Sequence, residues 1–185
     1  MTTQPTLRGS RLTLRPPRLD DLEDRWRWFA DPAVTRYLPL AGRVSLPKPE
    51  VERYLRSVID GTAGVLDFSV EDETGRSIGA CSLRDFDGAD RAELSIYLGE
   101  TRAWGKGYGE EAMRLLLGHA FRDLNLHVIW LVVREDNTPA IALYERLGFH
   151  HDGIYRAAVK EDGRYLDKQL MSVLREEWAD RRPRF

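Results

Sequence analysis

AELSIYLGETRAWGKGYGEEAMRLLLGHAFRDL, residues 92–124, changes its periodicity part-way along, across a glycine-dense turn. In Ala92–Leu98 the side chains alternate. Leu94, Ile96 and Leu98 fall on one side and Glu93, Ser95 and Tyr97 on the other, the pattern of a strand with one buried face. From Met113 onward Leu116, Leu117, Ala120, Phe121 and Leu124 recur at helical spacing. Between the two lie Gly105, Gly107 and Gly109, with Arg102 and Lys106 as the basic groups. A strand feeding a glycine-rich turn that opens a helix presents unpaired N–H groups at a positive dipole end, a place to hold phosphate.

Two common phosphate loops fail on spacing. A Walker A loop places four residues between its first glycine and Gly-Lys, followed by Ser or Thr; here five residues separate Gly99 from Gly105, and Gly107 follows Lys106. The dinucleotide fingerprint needs G-x-G-x-x-G and a second strand ending in an acidic residue; here the run is G-x-G-x-G and that strand context does not follow. A flexible glycine turn without a ligand is the bland alternative.

The rest of the chain decides between them. Arg102-x-x-Gly105-x-Gly107 resembles the acyl-CoA pyrophosphate loop of the GCN5-related N-acetyltransferase (GNAT) superfamily. Asn137-x-x-Ala140-x-x-Leu143-Tyr144-Glu145-x-x-Gly148-Phe149 resembles that superfamily's second coenzyme A motif. Leu14-Arg15-Pro16 near the start and Asp167, Met171-Ser172 and Glu177-Trp178 near the end resemble the branch holding ribosomal-protein N-terminal and polyamine acetyltransferases. The likeness runs from about Leu12 to Trp178. It is specific for fold and cofactor but not for acceptor.

Composition sets the outer bounds. A chain of 185 residues is expected to form one domain, with its core over about residues 11–178. A formal charge of −2 does not suggest nucleic-acid binding. The single cysteine, Cys81, excludes an internal disulfide and a multi-cysteine metal site, and its alternating apolar context reads as core. His119, His127 and the pair His150-His151 lack metal-ligand spacing, so no metal is expected. Neither a signal-peptide run nor an eighteen-residue apolar stretch occurs, which points to a cytoplasmic protein with no membrane partner.

Along the chain, residues 11–16 alternate as a first strand. A helix then starts on the acidic residues Asp20, Asp21, Glu23 and Asp24, with Leu22, Trp26 and Phe29 on its inner face and Pro32 as its stop. The acids read as a solvated first turn or as a guide for a cationic acceptor. Trp28, off that face, is left for an acceptor-pocket wall or a homodimer contact. Residues 33–46 look irregular, and 34–39 are placed as a pocket wall. A second helix, from Pro49-Glu50 to Gly61, is expected to bury Val51, Tyr54, Leu55 and Val58. Val65–Glu71 and Ser77–Phe86 read as strands around the turn Glu73–Arg76, and Asp87–Asp90 as the turn into the central strand. His127–Arg134 is a further branched-residue strand. A helix opens at Asp136-Asn137-Thr138-Pro139 and closes on Gly148. His150-His151 reads as the start of a loop. Ile154–Val159 and Tyr165–Leu174 form a last hairpin ahead of a loose RRPRF tail. The expected fold is mixed α/β (α+β), GNAT-like, with a mostly antiparallel central sheet flanked by helices.

The resemblance implies an acyl-CoA-dependent N-acetyltransferase that moves the acetyl group of acetyl-CoA directly to a primary amine. Protein or peptide N-termini come first; a polyamine, another small amine such as an aminoglycoside, or a noncatalytic acyl-CoA sensor are the alternatives. It assigns Arg102, Gly105, Lys106, Gly107, Tyr108 and Gly109 to the diphosphate and the backbone of Ile96, Tyr97 and Leu98 to the pantetheine arm and thioester carbonyl. Asn137 is assigned to the pantetheine arm as well, a role compatible with a place at the helix start. Tyr144 corresponds to the family's proton donor to the leaving thiolate; packing on the sheet is its plain alternative. A phenol with a pKa near 10 suits a thiol near 8–9. A lysine-like amine is neutral in about one molecule in 2,500 at pH 7, an α-amine in about one in ten, so the first needs a base more. Glu93, on the Tyr97 face, is the candidate base through water, or else a carboxylate paired with an arginine such as Arg91. Trp104 reads as a brace for the glycine turn.

Overall fold

The computed structural model describes residues 4–38, 46–86, 88 and 90–180. Parts of the expected pocket wall and of the turn before the central strand, together with the whole tail, lie outside them. Eight strands among the described residues form one sheet: β1 (Leu7–Arg8), β2 (Leu12–Arg15), β3 (Leu66–Asp72), β4 (Ser77–Arg84), β5 (Arg91–Leu98), β6 (Val128–Arg134), β7 (His150–Glu161) and β8 (Arg164–Leu174). Their order is β1-β2-β3-β4-β5-β6-β8-β7. Every neighbouring pair is antiparallel except β5 and β6.

The two faces of this sheet differ in chemistry. Phe68 and Val70 on β3, Cys81 and Leu83 on β4, and Ala92 and Leu94 on β5 form one core with α4 (Tyr108–Arg122), whose Ala112, Met113, Leu116, Leu117 and Ala120 are fully buried. Leu124, expected on this stripe, lies beyond the end of the helix and is 38% exposed. The opposite face carries Asp67 and Ser69, Ser82 and Arg84, and Glu93, Ser95 and Tyr97, which the strand register sets in rows: Asp67 opposite Ser82, and Ser82 opposite Ser95. α1 (Leu22–Phe29) and α3 (Lys48–Ile59) reach this polar face.

That polarity explains why α1 turns a different side inward than its apolar pattern suggests. Asp21, Arg25 and Trp28, spaced four and three apart, are buried, whereas Trp26 is 38% exposed. Arg25 Nη2 donates to Asp67 Oδ1 at 2.5 Å and to Ser69 Oγ at 3.2 Å, and Ser69 Oγ donates to Asp21 Oδ2 at 2.7 Å. Arg15 clasps both oxygens of Asp21, at 2.9 and 2.6 Å. Asp21 is thus a buried ion partner rather than a solvated charge. Despite opposing desolvation, its bonds to Arg15, the Arg18 N–H and Ser69 hold its carboxyl below the usual range. The expected inner residue Tyr54 of α3 is likewise exposed at 45%, while Val51, Leu55 and Val58 are buried as expected. Pro32 does not merely follow a helix. It opens a short one, α2 (Pro32–Thr35), whose N-cap Asp31 accepts from Ala33 N–H at 2.9 Å.

His150-His151 begins strand β7 rather than a loop, on the outer edge of the sheet, where nearly every residue of the strand is exposed. Its register with β8 closes through Asp162 and Gly163, both at positive φ, as a two-residue hairpin requires. None of the described helices is long and apolar enough to cross a membrane.

Candidate active site

β5 and β6 part company half-way. Their parallel register covers only Arg91 with Val128, Ala92 with Ile129 and Glu93 with Trp130; β6 then continues on β8, and β5 continues on β4 as far as Leu98. One backbone edge of β5 beyond Glu93 therefore faces a cleft instead of a strand. That cleft, about 920 Å³, is bordered by Ile96, Tyr97 and Leu98, by Gly105, Gly107 and Gly109, and by the helix α5 (Thr138–Leu147).

At its head the glycine turn opens α4. Gly107 is the N-cap, left-handed at φ 83°, and Gly105 stands at φ 71°. A side chain at either would be strained. No side chain caps α4, so its first N–H groups, which lack intrahelical partners, keep their partial positive charge toward the turn. A Cβ placed on Gly105 would meet no atom within 4 Å, and one on Gly107 only Arg11 Nη2, at 3.1 Å. The space in front of these glycines is open. The acids of this turn are neutralised from behind. Glu111 accepts from Arg11 Nε at 3.0 Å and from the Arg11 backbone N–H at 2.8 Å, and Glu110 from Arg114 Nη2 at 2.8 Å. Trp104 Nε1 donates to the Leu98 carbonyl at 2.9 Å, bracing the turn against the strand end. Tyr108 borders the cleft, and its hydroxyl donates to Glu73 at 2.7 Å. Arg102 lies 3.4 Å from Glu100.

Arg11 adds a contact that spacing could not reveal, 95 residues from its partner. Its Nη1 donates to the Lys106 carbonyl at 2.8 Å. The Lys106 carbonyl and the Gly107 N–H share one planar trans peptide and point in opposite directions. Arg11 therefore fixes the Gly107 N–H pointing away from itself. Arg36 and Tyr37, within the stretch placed as a pocket wall, border the cleft, and so does Arg146, which spacing did not single out.

α5 supplies the cleft's other wall. Asn137 is its N-cap, yet its side chain makes no capping hydrogen bond. Tyr144, seven residues on, returns to the same side of the helix and also borders the cleft, packing on Phe149 with ring centroids 5.8 Å apart. Burial pushes the Tyr144 phenol up to about 12. It is a protonated group throughout the neutral range.

Glu93 is almost fully buried, and both its oxygens accept from Arg84, at 2.9 Å each. Its arginine is thus the cross-strand neighbour in register, not the adjacent Arg91. Arg84 borders a second pocket of about 630 Å³ between α1, α3 and the polar sheet face. This pocket meets the cleft at Tyr97 and Leu38, which border both. The arrangement is a cleft of about 920 Å³ beside a smaller chamber of about 630 Å³.

Residues 11–150 match the Acetyltransferase (GNAT) domain family. The chain belongs to the GNAT family. An uncharacterized N-acetyltransferase, p20, of Bacillus licheniformis is 34% identical over 177 residues, covering 94% of this chain and 98% of that protein. A spermidine N-acetyltransferase from Vibrio cholerae, solved in complex with CoA and spermine, superposes with TM-score 0.82 at 28% identity, covering 92% of this chain and 99% of that one. Mycobacterium smegmatis RimJ, solved with CoA-disulfide, superposes with TM-score 0.78 at 24% identity over 94% and 89%. The GNAT assignment makes this chain an N-acetyltransferase. Among the described residues no His, Cys, Asp and Glu cluster that could hold a metal occurs.

Proposed function

We propose that this GNAT enzyme uses acetyl-CoA to acetylate a primary amine by direct transfer, with a protein or peptide N-terminus as the acceptor. The observation that carries it is that the glycine-headed cleft and the chamber over the polar sheet face share a border at Tyr97 and Leu38. Acetyl-CoA supplies an activated thioester carbonyl. N–H groups of Gly105, Gly107 and the first turn of α4 hold the diphosphate, with Arg102 and Lys106 as flanking charges. The open edge of β5 at Ile96–Leu98 pairs with the pantetheine arm, and one N–H there polarises the carbonyl. Asn137 holds the arm from the opposite side.

The acceptor enters through the chamber. As its nitrogen bonds to the carbonyl carbon and the carbon–sulfur bond breaks, Tyr144 gives its proton to the departing sulfur. The proton lost by the amine passes through water toward Glu93, whose oxygens each keep a lone pair beyond their bond to Arg84. An α-amine, about one-tenth neutral at pH 7, makes a small demand on that relay. The buried Cys81, on the α4 side of the sheet with its thiol pushed up by desolvation, is no nucleophile, which suits direct transfer.

The test is thiol release from acetyl-CoA across a panel of N-terminal peptides, polyamines and aminoglycosides. Saturable release with at least one of them is expected. Saturable coenzyme A binding with no release from any amine would sink the proposal.

Arg11 gives a separate prediction. Arg11→Ala is expected to raise the Kd for coenzyme A about tenfold, the loss of one well-placed N–H donor to a charged group. Turnover of S-acetylpantetheine, which has no diphosphate, should be unaltered. Calorimetry and thiol release read the two arms, and an equal loss on both would mean that Arg11 only supports the fold.

A further inference from the structure

The chamber's charges restrict what can be acetylated, given the reading above that it receives the acceptor. A polyamine carries several ammonium groups into any pocket that binds it, and each one removed from water needs a carboxylate or equivalent acceptor. Among the described residues bordering the chamber there are two carboxylates, Asp67 and Glu50, against three guanidinium groups, Arg25, Arg53 and Arg84. Asp67 is already held by Arg25 at 2.5 Å and is 5% exposed, so it has little left to offer a second cation. The nearby Glu93 is likewise held, on both oxygens, by Arg84. That leaves Glu50, exposed on the first turn of α3, with Arg53, also exposed, bordering the same space.

The remaining lining carries no charge: apolar Phe29, Leu38, Leu46 and Val51 border the same space, with Tyr54, Tyr97 and the serines Ser57, Ser82 and Ser95. Its apolar part gains from covering hydrocarbon, and its neutral hydroxyls bring no compensating charge to a second or third ammonium.

From this we infer that the chamber selects a monoamine on an apolar flank, such as a peptide α-amine followed by an apolar side chain, and discriminates against polyamines. Arg53 is the specificity-determining charge at its mouth. It repels a polycation and leaves a singly charged amine almost unaffected.

The experiment measures kcat/KM for spermidine, spermine and a short peptide beginning with an apolar residue, on the unaltered enzyme and on Arg53→Glu. The peptide is expected to exceed either polyamine by at least about tenfold, the effect of one uncompensated ammonium. Arg53→Glu is expected to raise kcat/KM for spermidine on the order of fivefold, because it reverses the sign of one rim charge at partly screened range. Coenzyme A affinity, measured in parallel, reports that the variant is folded. Spermidine turnover equal to or above that of the peptide would overturn the inference while leaving the acetyltransferase reading intact. So would an Arg53→Glu variant that binds coenzyme A normally and gains nothing on spermidine. No turnover of any amine would remove the acetyltransferase reading, and this inference with it.

Discussion

Gly107→Val is expected to weaken coenzyme A binding by about a hundredfold or more, while the protein still folds. The N-cap of α4 stands at φ 83°, a region that a β-branched residue enters only with strain of about 1–3 kcal/mol. Relieving the strain rotates the peptides on either side, and with them the N–H groups aimed at the diphosphate. Two charge-assisted hydrogen bonds, each worth roughly 1.5–3 kcal/mol, account for at least that factor. The new Cβ would meet only the tip of Arg11, in front of the turn and away from the buried face of α4, so the core should not be disturbed. Calorimetry with coenzyme A, beside a thermal melt, checks both halves. A variant with native affinity would show that the diphosphate does not sit at this turn.

Tyr144→Phe is expected to lower kcat about a hundredfold, the smaller end of what a positioned general acid contributes, with the Kd for acetyl-CoA nearly unchanged. The ring keeps its packing on Phe149, so the variant removes a proton and little else. Desolvation is the cause that holds this phenol up at about 12. Its neutral, donating form therefore persists across the alkaline range, and kcat should show no alkaline fall from this group short of that pH. The leaving thiolate, more basic than water at neutral pH, depends on such a donor. An unaltered kcat in single-turnover measurements would take Tyr144 out of the chemistry and leave it a packing residue.

How much of this was legible in the chain depended on whether burial and polarity coincide. Around β5 and α4 they do: one strand face and one helix stripe are apolar, the glycines mark the turn, and the elements fall where periodicity puts them. On α1 they separate. The inward stripe there is Asp21, Arg25 and Trp28, because the sheet face it meets carries Asp67 and Ser69. Hydrophobic spacing therefore selected Trp26 and passed over Trp28. β7 escaped in its first residues for a related reason. An edge strand exposed on nearly all of its length has no buried side to impose alternation. The donor groove announced itself through Gly105, Gly107, Asn137 and Tyr144, all within one region of the chain. Arg11 on the Lys106 carbonyl and Arg84 on Glu93 did not, since only the fold brings those partners together.

The junction between α1 and the end of β5 carries a consequence for how this sequence can change. A methyl group at Gly99 would lie 2.0 Å from Trp28 Cδ2, inside the space the indole already fills, while Trp28 Nε1 donates to Glu100 at 3.0 Å. Neither partner can yield alone: a side chain at position 99 collides, and a smaller residue at 28 leaves a void and takes from Glu100 Oε1 one of the two donors it has in Trp28 and Arg27. Among descendants of this chain the two positions should drift as a couple or stay frozen, so a substitution seen at one foretells a substitution at the other.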